Sequence, residues 1–183
     1  MIIRPLPLQG LRLIEQEPFV DERGRFSRLY CRETLVSAGI AKPIAQVNQS
    51  VSHATGCLRG LHFQFPPACE TKIVTCLAGA VFDVAVDLRR GSSTFLHWHA
   101  ETLSAENMRI LVIPEGFAHG FQTLGPNCQL LYLCTAAYAK EYEGRLRFND
   151  PAIGIHWPLP VADISELDRT APDLAPSFIG VRP

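Results

Sequence analysis

No run of 18 or more apolar residues occurs in the chain, although 47% of its 183 residues are hydrophobic. The sequence therefore offers no helix-length membrane span. Excess charge is also missing: 17 Lys and Arg stand against 18 Asp and Glu. That balance lacks the basic footprint of a nucleic-acid partner. The six cysteines (Cys31, Cys57, Cys69, Cys76, Cys128 and Cys134) contain no C-x-x-C pair, which argues against a zinc or disulfide framework. Set inside apolar runs, they are expected to be small buried hydrophobes in a reducing cytoplasm. Met1 to Pro5 has neither the apolar core nor the cleavage site of a signal peptide. No G-x-G-x-x-G and no P-loop follows a strand, which speaks against an α/β fold built on a nucleotide cofactor.

What is present is a series of short strands. Lys72–Leu77 and Ala80–Leu88 are rich in β-branched residues, with Gly79 as the turn between them. In the second run Val81, Asp83, Ala85 and Asp87 share one face, and Phe82, Val84, Val86 and Leu88 the other. Gln46–Ser52, Thr94–Leu103, Ile110–Ile113, Gly120–Thr123 and Gln129–Thr135 continue the pattern. Nearer the N-terminus, an apolar segment from Leu11, the polar turn Asp21–Arg25 and an alternating Phe26–Tyr30 read as strand, turn, strand. Arg32–Ala38 is a short helix that Gly39 can end, and Ser165–Arg169 fits one further helical turn. Short strands punctuated by Gly, Pro and Asn predict an all-β sandwich or barrel of antiparallel strands. The length suits one domain over 1–183, with a core from about residue 10 to 175 and a Pro-rich tail.

The segment Gly56-Cys57-Leu58-Arg59-Gly60-Leu61-His62-Phe63-Gln64 carries the densest chemistry. His62 and Gln64 leave one face of a strand. Strict alternation puts Arg59 and His62 on opposite faces, so a bulge or strand end must lie between them. A neutral histidine acts as a base when a carboxylate stabilises the imidazolium, and Asp168 is a candidate partner; a histidine satisfied in the core is the plain alternative. Arg23 and Arg59 are either solvated charges or guanidinium forks for phosphate oxygens. Tyr132 and Tyr138 are core aromatics, or a general acid and a stacking ring. Pro114-Glu115-Gly116-Phe117-Ala118-His119 resembles half of a metal-cupin signature, and Gly91 with His97-Trp98-His99 resembles the opening of the other half. Glu101 then comes too early and Glu106 too late for the third ligand. His97 and His99 are expected on a polar strand face, with Trp98 in the core.

In order along the chain stand Asp21-Glu22-Arg23-Gly24, Gln46-x-Asn48-x-Ser50-x-Ser52, Arg59-Gly60-Leu61-His62-Phe63-Gln64, Asp83-Val84-Ala85-Val86-Asp87-Leu88-Arg89, Leu103-Ser104-Ala105-Glu106-Asn107, Ile113 to Phe121 and Asn149-Asp150-Pro151. Over about residues 10 to 175 this series resembles the dTDP-4-dehydrorhamnose 3,5-epimerase family. The resemblance implies an all-β, cupin-like jelly-roll with a few short helices, a cytoplasmic homodimer, and no cofactor or metal. It implies a thymidine-diphosphate 4-keto-6-deoxy sugar, dTDP-4-dehydro-6-deoxy-D-glucose, as substrate, inverted at C3 and C5. His62 would be the base, supported by Asp168; Lys72 would stabilise charge at the C4 oxygen, and Tyr132 would return a proton from the opposite face. Arg23, Arg59 and His119 would hold the diphosphate, Gln46, Asn48 and Glu143 the nucleoside, and Tyr138 would stack on the base.

Two positions depart from the family pattern. Arg28 stands where a glutamate is usual, and Leu167 where a basic residue usually precedes Asp168. Both bear on the nucleotide side, so the sugar nucleotide is less defined than the chemistry. A single-centre epimerase on a related nucleotide 4-keto sugar is the competing reading, and a metal-binding cupin the more distant one.

Overall fold

A computed structural model describes residues 1–183. Its strands, in chain order, are β1 (Ile2–Pro5), β2 (Arg12–Glu15), β3 (Phe19–Asp21), β4 (Gly24–Phe26), β5 (Gln46–Ser52), β6 (Cys57–Gln64), β7 (Lys72–Ala78), β8 (Ala80–Asp87), β9 (Trp98–Ser104), β10 (Ile110–Ile113), β11 (Phe117–Thr123), β12 (Cys128–Cys134), β13 (Glu143–Arg145) and β14 (Asp163–Ile164). Helices α1 (Arg32–Ser37) and α2 (Glu166–Arg169) are short. Two sheets face each other, ordered β1-β2-β10-β7-β12-β5 and β13-β6-β11-β8-β9, and β3 and β4 form a separate hairpin. Every strand pairing is antiparallel except that of β14 with β6. The result is the cupin-like jelly-roll that the resemblance implies, within the antiparallel all-β class that the strand pattern predicts.

The alternation in β8 explains how the layers are filled. Val81 and Ala85 enter the core between the sheets, with Leu111, Phe121 and Leu130. Val84, Val86 and Leu88 face the other way, into a second core that Ile153, Ile155 and Val181 cover. On the outside of the first sheet, Ile73, Ile110, Val112 and Leu133 pack beneath Leu35 and Ala38 of the α1 region. Ile110–Ile113 is therefore buried on both faces, which is why it reads as a continuous apolar run. Each fully buried aliphatic side chain contributes about 2 kcal/mol. Asp83 and Asp87 lie on the inner face of β8 and are fully buried, two acids in apolar surroundings that must be paired.

Several expected boundaries differ. Phe26 ends β4, and Ser27–Tyr30 are not in a strand. β9 begins at Trp98, not Thr94, because the Ser92 and Thr94 hydroxyls donate to Asp87 and fold residues 88–97 into a turn. Helix α1 ends at Ser37, and Gly39 takes the left-handed conformation (φ +86°) that releases the chain. All six cysteines are free thiols, and five are buried as expected; Cys31 is half-exposed at the start of α1.

Candidate active site

The bulge required between Arg59 and His62 is present. His62 pairs with His119 across β6 and β11, but Arg59 pairs with Phe121, so Gly60 and Leu61 of β6 oppose the single Gly120 of β11. Gly60 makes this possible. It has φ +113°, and a Cβ there would lie 2.6 Å from Gly120 Cα and 2.7 Å from the His119 carbonyl oxygen. Only a residue without a side chain allows that approach. The extra residue brings Arg59 and His62 to the same face, toward the space between the sheets.

That space is a cleft with two chambers. The inner one, about 220 Å³, is lined by Ser50, Arg59, His62, Lys72, His119, Phe121 and Tyr132. The outer one, about 240 Å³, includes Gln46, Asn48, Gln64, Glu70, Tyr138 and Glu143. His62, Lys72 and Tyr132 border both chambers. The walls come from opposite sheets. Asn48, Tyr132 and Val74 lie in one cross-strand row of the first sheet, and Gln46, Cys134 and Lys72 in the next row of that face. His62, Arg59 and His119 come from the second sheet.

His62 Nε2 stands 2.6 Å from Asp168 Oδ1. Asp168 is held at the first turn of α2, where its backbone N–H donates to Ser165 Oγ and its Oδ2 accepts from the Gly60 N–H. Burial opposes ionisation of Asp168, but hydrogen bonds led by His62 outweigh it and hold its carboxyl at about 2. The carboxylate thus stays charged and fixes His62 as the tautomer that donates from Nε2. A second pair lies deeper: His119 Nε2 is 2.9 Å and 3.0 Å from the two oxygens of Asp83. Across the cleft, Lys72 Nζ is 3.3 Å from Glu70 Oε1. Burial, aided by the charge of Asp83, pushes the Tyr132 phenol well above its ordinary range, so the hydroxyl keeps its proton. A base backed by a carboxylate on one wall, with a half-buried cation and a protonated phenol on the other, can move protons on and off a carbon held between them.

Residues 5–176 match the family model described as dTDP-4-dehydrorhamnose 3,5-epimerase. The chain belongs to this family. A curated relative of that name from Pseudomonas aeruginosa is 46% identical over 166 residues, 90% of this chain and 91% of the relative. The crystal structure of a dTDP-6-deoxy-D-glucose-3,5-epimerase from Legionella pneumophila, in complex with dTDP-4-keto-L-rhamnose, superposes with a TM-score of 0.93 at 38% identity. It covers 100% of this chain and 98% of the Legionella chain. A 3'-monoepimerase from Streptomyces bikiniensis, solved with dTDP-quinovose, is 34% identical with a TM-score of 0.86, covering 92% of this chain and 86% of that one.

Of the eleven residues to which the epimerase resemblance assigns roles, nine line the two chambers, and Asp168 reaches the cleft through His62. Arg23 does not. It sits on the β3–β4 hairpin, exposed and bonded to Asp21. Tyr138 is at the mouth, where its hydroxyl is 3.3 Å from Glu143 Oε2 and its N–H donates to Gln46 Oε1. Arg28 lines a different depression with Phe19 and Phe26, and Leu167 is exposed beside Asp168. The alternative metal triad is not assembled. β8 separates β9 from β11, with His99 and His119 both opposite Ala85, which puts them two strand spacings, about 10 Å, apart. His99 instead bonds Glu101. Trp98 packs against the second core as expected.

Sequence reasoning missed Glu70, Asp83 and Arg145. Asp83 had a signal, being an acid that shares a strand face with Val81 and Ala85. Glu70 and Arg145 had a weaker one, an opposite charge two residues away, at Lys72 and Glu143 respectively.

Proposed function

We propose that this epimerase inverts C3 and C5 of dTDP-4-dehydro-6-deoxy-D-glucose to give dTDP-4-dehydro-L-rhamnose, by removing and returning protons next to the C4 ketone. The observation that carries the reading is the cleft itself, with His62 on one sheet, backed by Asp168 of α2, and Lys72 with Tyr132 on the other. Nε2–H of His62 is engaged by Asp168, so the basic lone pair is on Nδ1. That lone pair takes the proton from the carbon, and Asp168 stabilises the imidazolium that forms. Electrons move into the C4 carbonyl, and Lys72 offsets the enolate charge, a role worth about 3 kcal/mol for comparable donors. Tyr132 delivers a proton to the opposite face, which inverts the centre. Each group contributes on the order of 10²–10⁴-fold. A proton removed and a proton returned leave the carbon's oxidation state unchanged, so the chemistry calls for no hydride carrier.

Arg59 and His119 hold the diphosphate, and Gln46, Asn48, Glu143 and Tyr138 hold the thymidine side. Arg23 is outside the cleft of its own chain, on a hairpin whose Phe19, Val20 and Phe26 are each about two-thirds exposed. A homodimer in which this hairpin docks on a second copy covers the apolar side chains and brings Arg23 to the other subunit's diphosphate. No helix is long and apolar enough to cross a membrane.

The test is proton exchange followed by NMR in deuterated water, with dTDP-4-dehydro-6-deoxy-D-glucose and either wild type or His62→Ala. Wild type should place deuterium at both C3 and C5, and the variant at neither. Deuterium at C3 alone would replace this reading with a monoepimerase like the Streptomyces bikiniensis neighbour.

A further inference from the structure

Arg145 lies at the centre of the candidate machinery but has no role in the chemistry described above. Its Nη1 donates to Asp168 Oδ1 at 2.6 Å, the oxygen that also accepts from His62. The same nitrogen is 3.0 Å from His62 Nε2. Its Nη2 donates to Glu143 Oε1 at 2.8 Å. The local backbone explains the placement. Arg145 is opposite His62 in the β13–β6 pairing, two residues after Glu143 on the same strand face. The guanidinium is about three-quarters buried, so water screens it only in part.

We propose that Arg145 is a positioning residue that limits the basicity of His62 by sharing its carboxylate, with Glu143 setting how strongly it does so. The inference rests on His62 being the base. Before proton abstraction, one cation and two carboxylates meet beside a neutral ring. Afterwards the imidazolium lies about 3 Å from a guanidinium, and both depend on one oxygen of Asp168. Arg145 therefore disfavours the charged ring. Glu143 offsets part of the Arg145 charge and so acts in the opposite direction. Around the ring, Lys72 with Glu70 faces it across the cleft, Arg59 and His119 with Asp83 lie deeper, and Asp163 is on β14. None of these is hydrogen-bonded to the imidazole.

The two neighbours of the ring thus have effects of opposite sign, which a structural role alone would not produce. The measurement is the NMR titration midpoint of the His62 ring in the free enzyme, with the resonance assigned by His62→Gln. It is paired with the acidic limb of the kcat/KM profile. Arg145→Ala should move both upward by about one pH unit, a tenfold change in proton affinity. Arg145→Lys should stay close to wild type, and Glu143→Gln should move the midpoint downward. A midpoint that Arg145→Ala leaves in place, or lowers, overturns the proposal even if kcat falls. If Arg145→Ala does not fold, Glu143→Gln decides, and an unchanged midpoint overturns it. Midpoints that move as stated in an enzyme showing no proton exchange would reject His62 as the base while leaving its electrostatic control by Arg145 standing.

Discussion

His62 and Asp168 are 106 residues apart in the chain and 2.6 Å apart in space. Nothing local to either one predicts the other; the family motifs suggested the pair, and the fold places the two side chains together. Tyr132 is the complementary case. Between Leu131 and Leu133 it reads as a core aromatic, and that same burial raises its phenol further above the ordinary tyrosine range, so the hydroxyl stays available as a proton donor. The two readings of Tyr132 are thus one physical fact. Replacing it with Phe leaves the proposed base intact but removes the donor on the opposite face. Tyr132→Phe should therefore form inverted product 10²–10⁴-fold more slowly, on the order expected for loss of one general acid. Solvent deuterium should still enter the recovered substrate with its configuration retained. Product formation at the wild-type rate would remove Tyr132 from the mechanism.

At the scale of elements, two local irregularities position the cleft. The bulge at Gly60 was legible because Arg59 and His62 have the wrong parity for a regular strand. The turn after β8 was not legible, and a strand was expected from Thr94. Asp87 organises that turn by accepting from the Arg89 backbone and guanidinium and from the Ser92 and Thr94 hydroxyls. Burial alone would raise its carboxyl, but these bonds together hold it at about 2. The folded value lies below the unfolded one near 3.9. Its stabilisation, about 2 kcal/mol, is therefore complete above pH 4 and lost as pH falls from about 4 through 2. Asp87→Asn should lower the stability measured by urea unfolding at pH 7 by at least that amount. It should also lose less stability than wild type between pH 4 and 2. Parallel stability curves for the two proteins across that window would show that the turn does not depend on the ionised carboxylate.

For the whole molecule, the β3–β4 hairpin is the part the single chain leaves unfinished. It pairs with neither large sheet and exposes Phe19, Val20 and Phe26, an apolar patch that a second copy would cover. Sedimentation equilibrium should show a dimer for wild type. Phe19→Asp combined with Phe26→Asp should weaken it to monomer and reduce turnover, because Arg23 would then serve no cleft. A double variant that remains dimeric would move the interface elsewhere on the molecule.

Periodicity in residues 72–135 was enough to specify antiparallel layers, because side chains alternate on a strand and the apolar ones must be buried. The ordered motifs were enough to place the chain in its family and to nominate His62, Lys72, Tyr132 and Asp168. Tertiary structure alone decided the rest. Arg145 reaches His62 only because β13 pairs with β6 in one register, and Asp83 meets His119 because β8 lies beside β11. Arg23 is outside the cleft because its hairpin leaves the body of the fold. These are contacts between distant segments, and a one-residue change of register would turn each of those strand side chains to the opposite face.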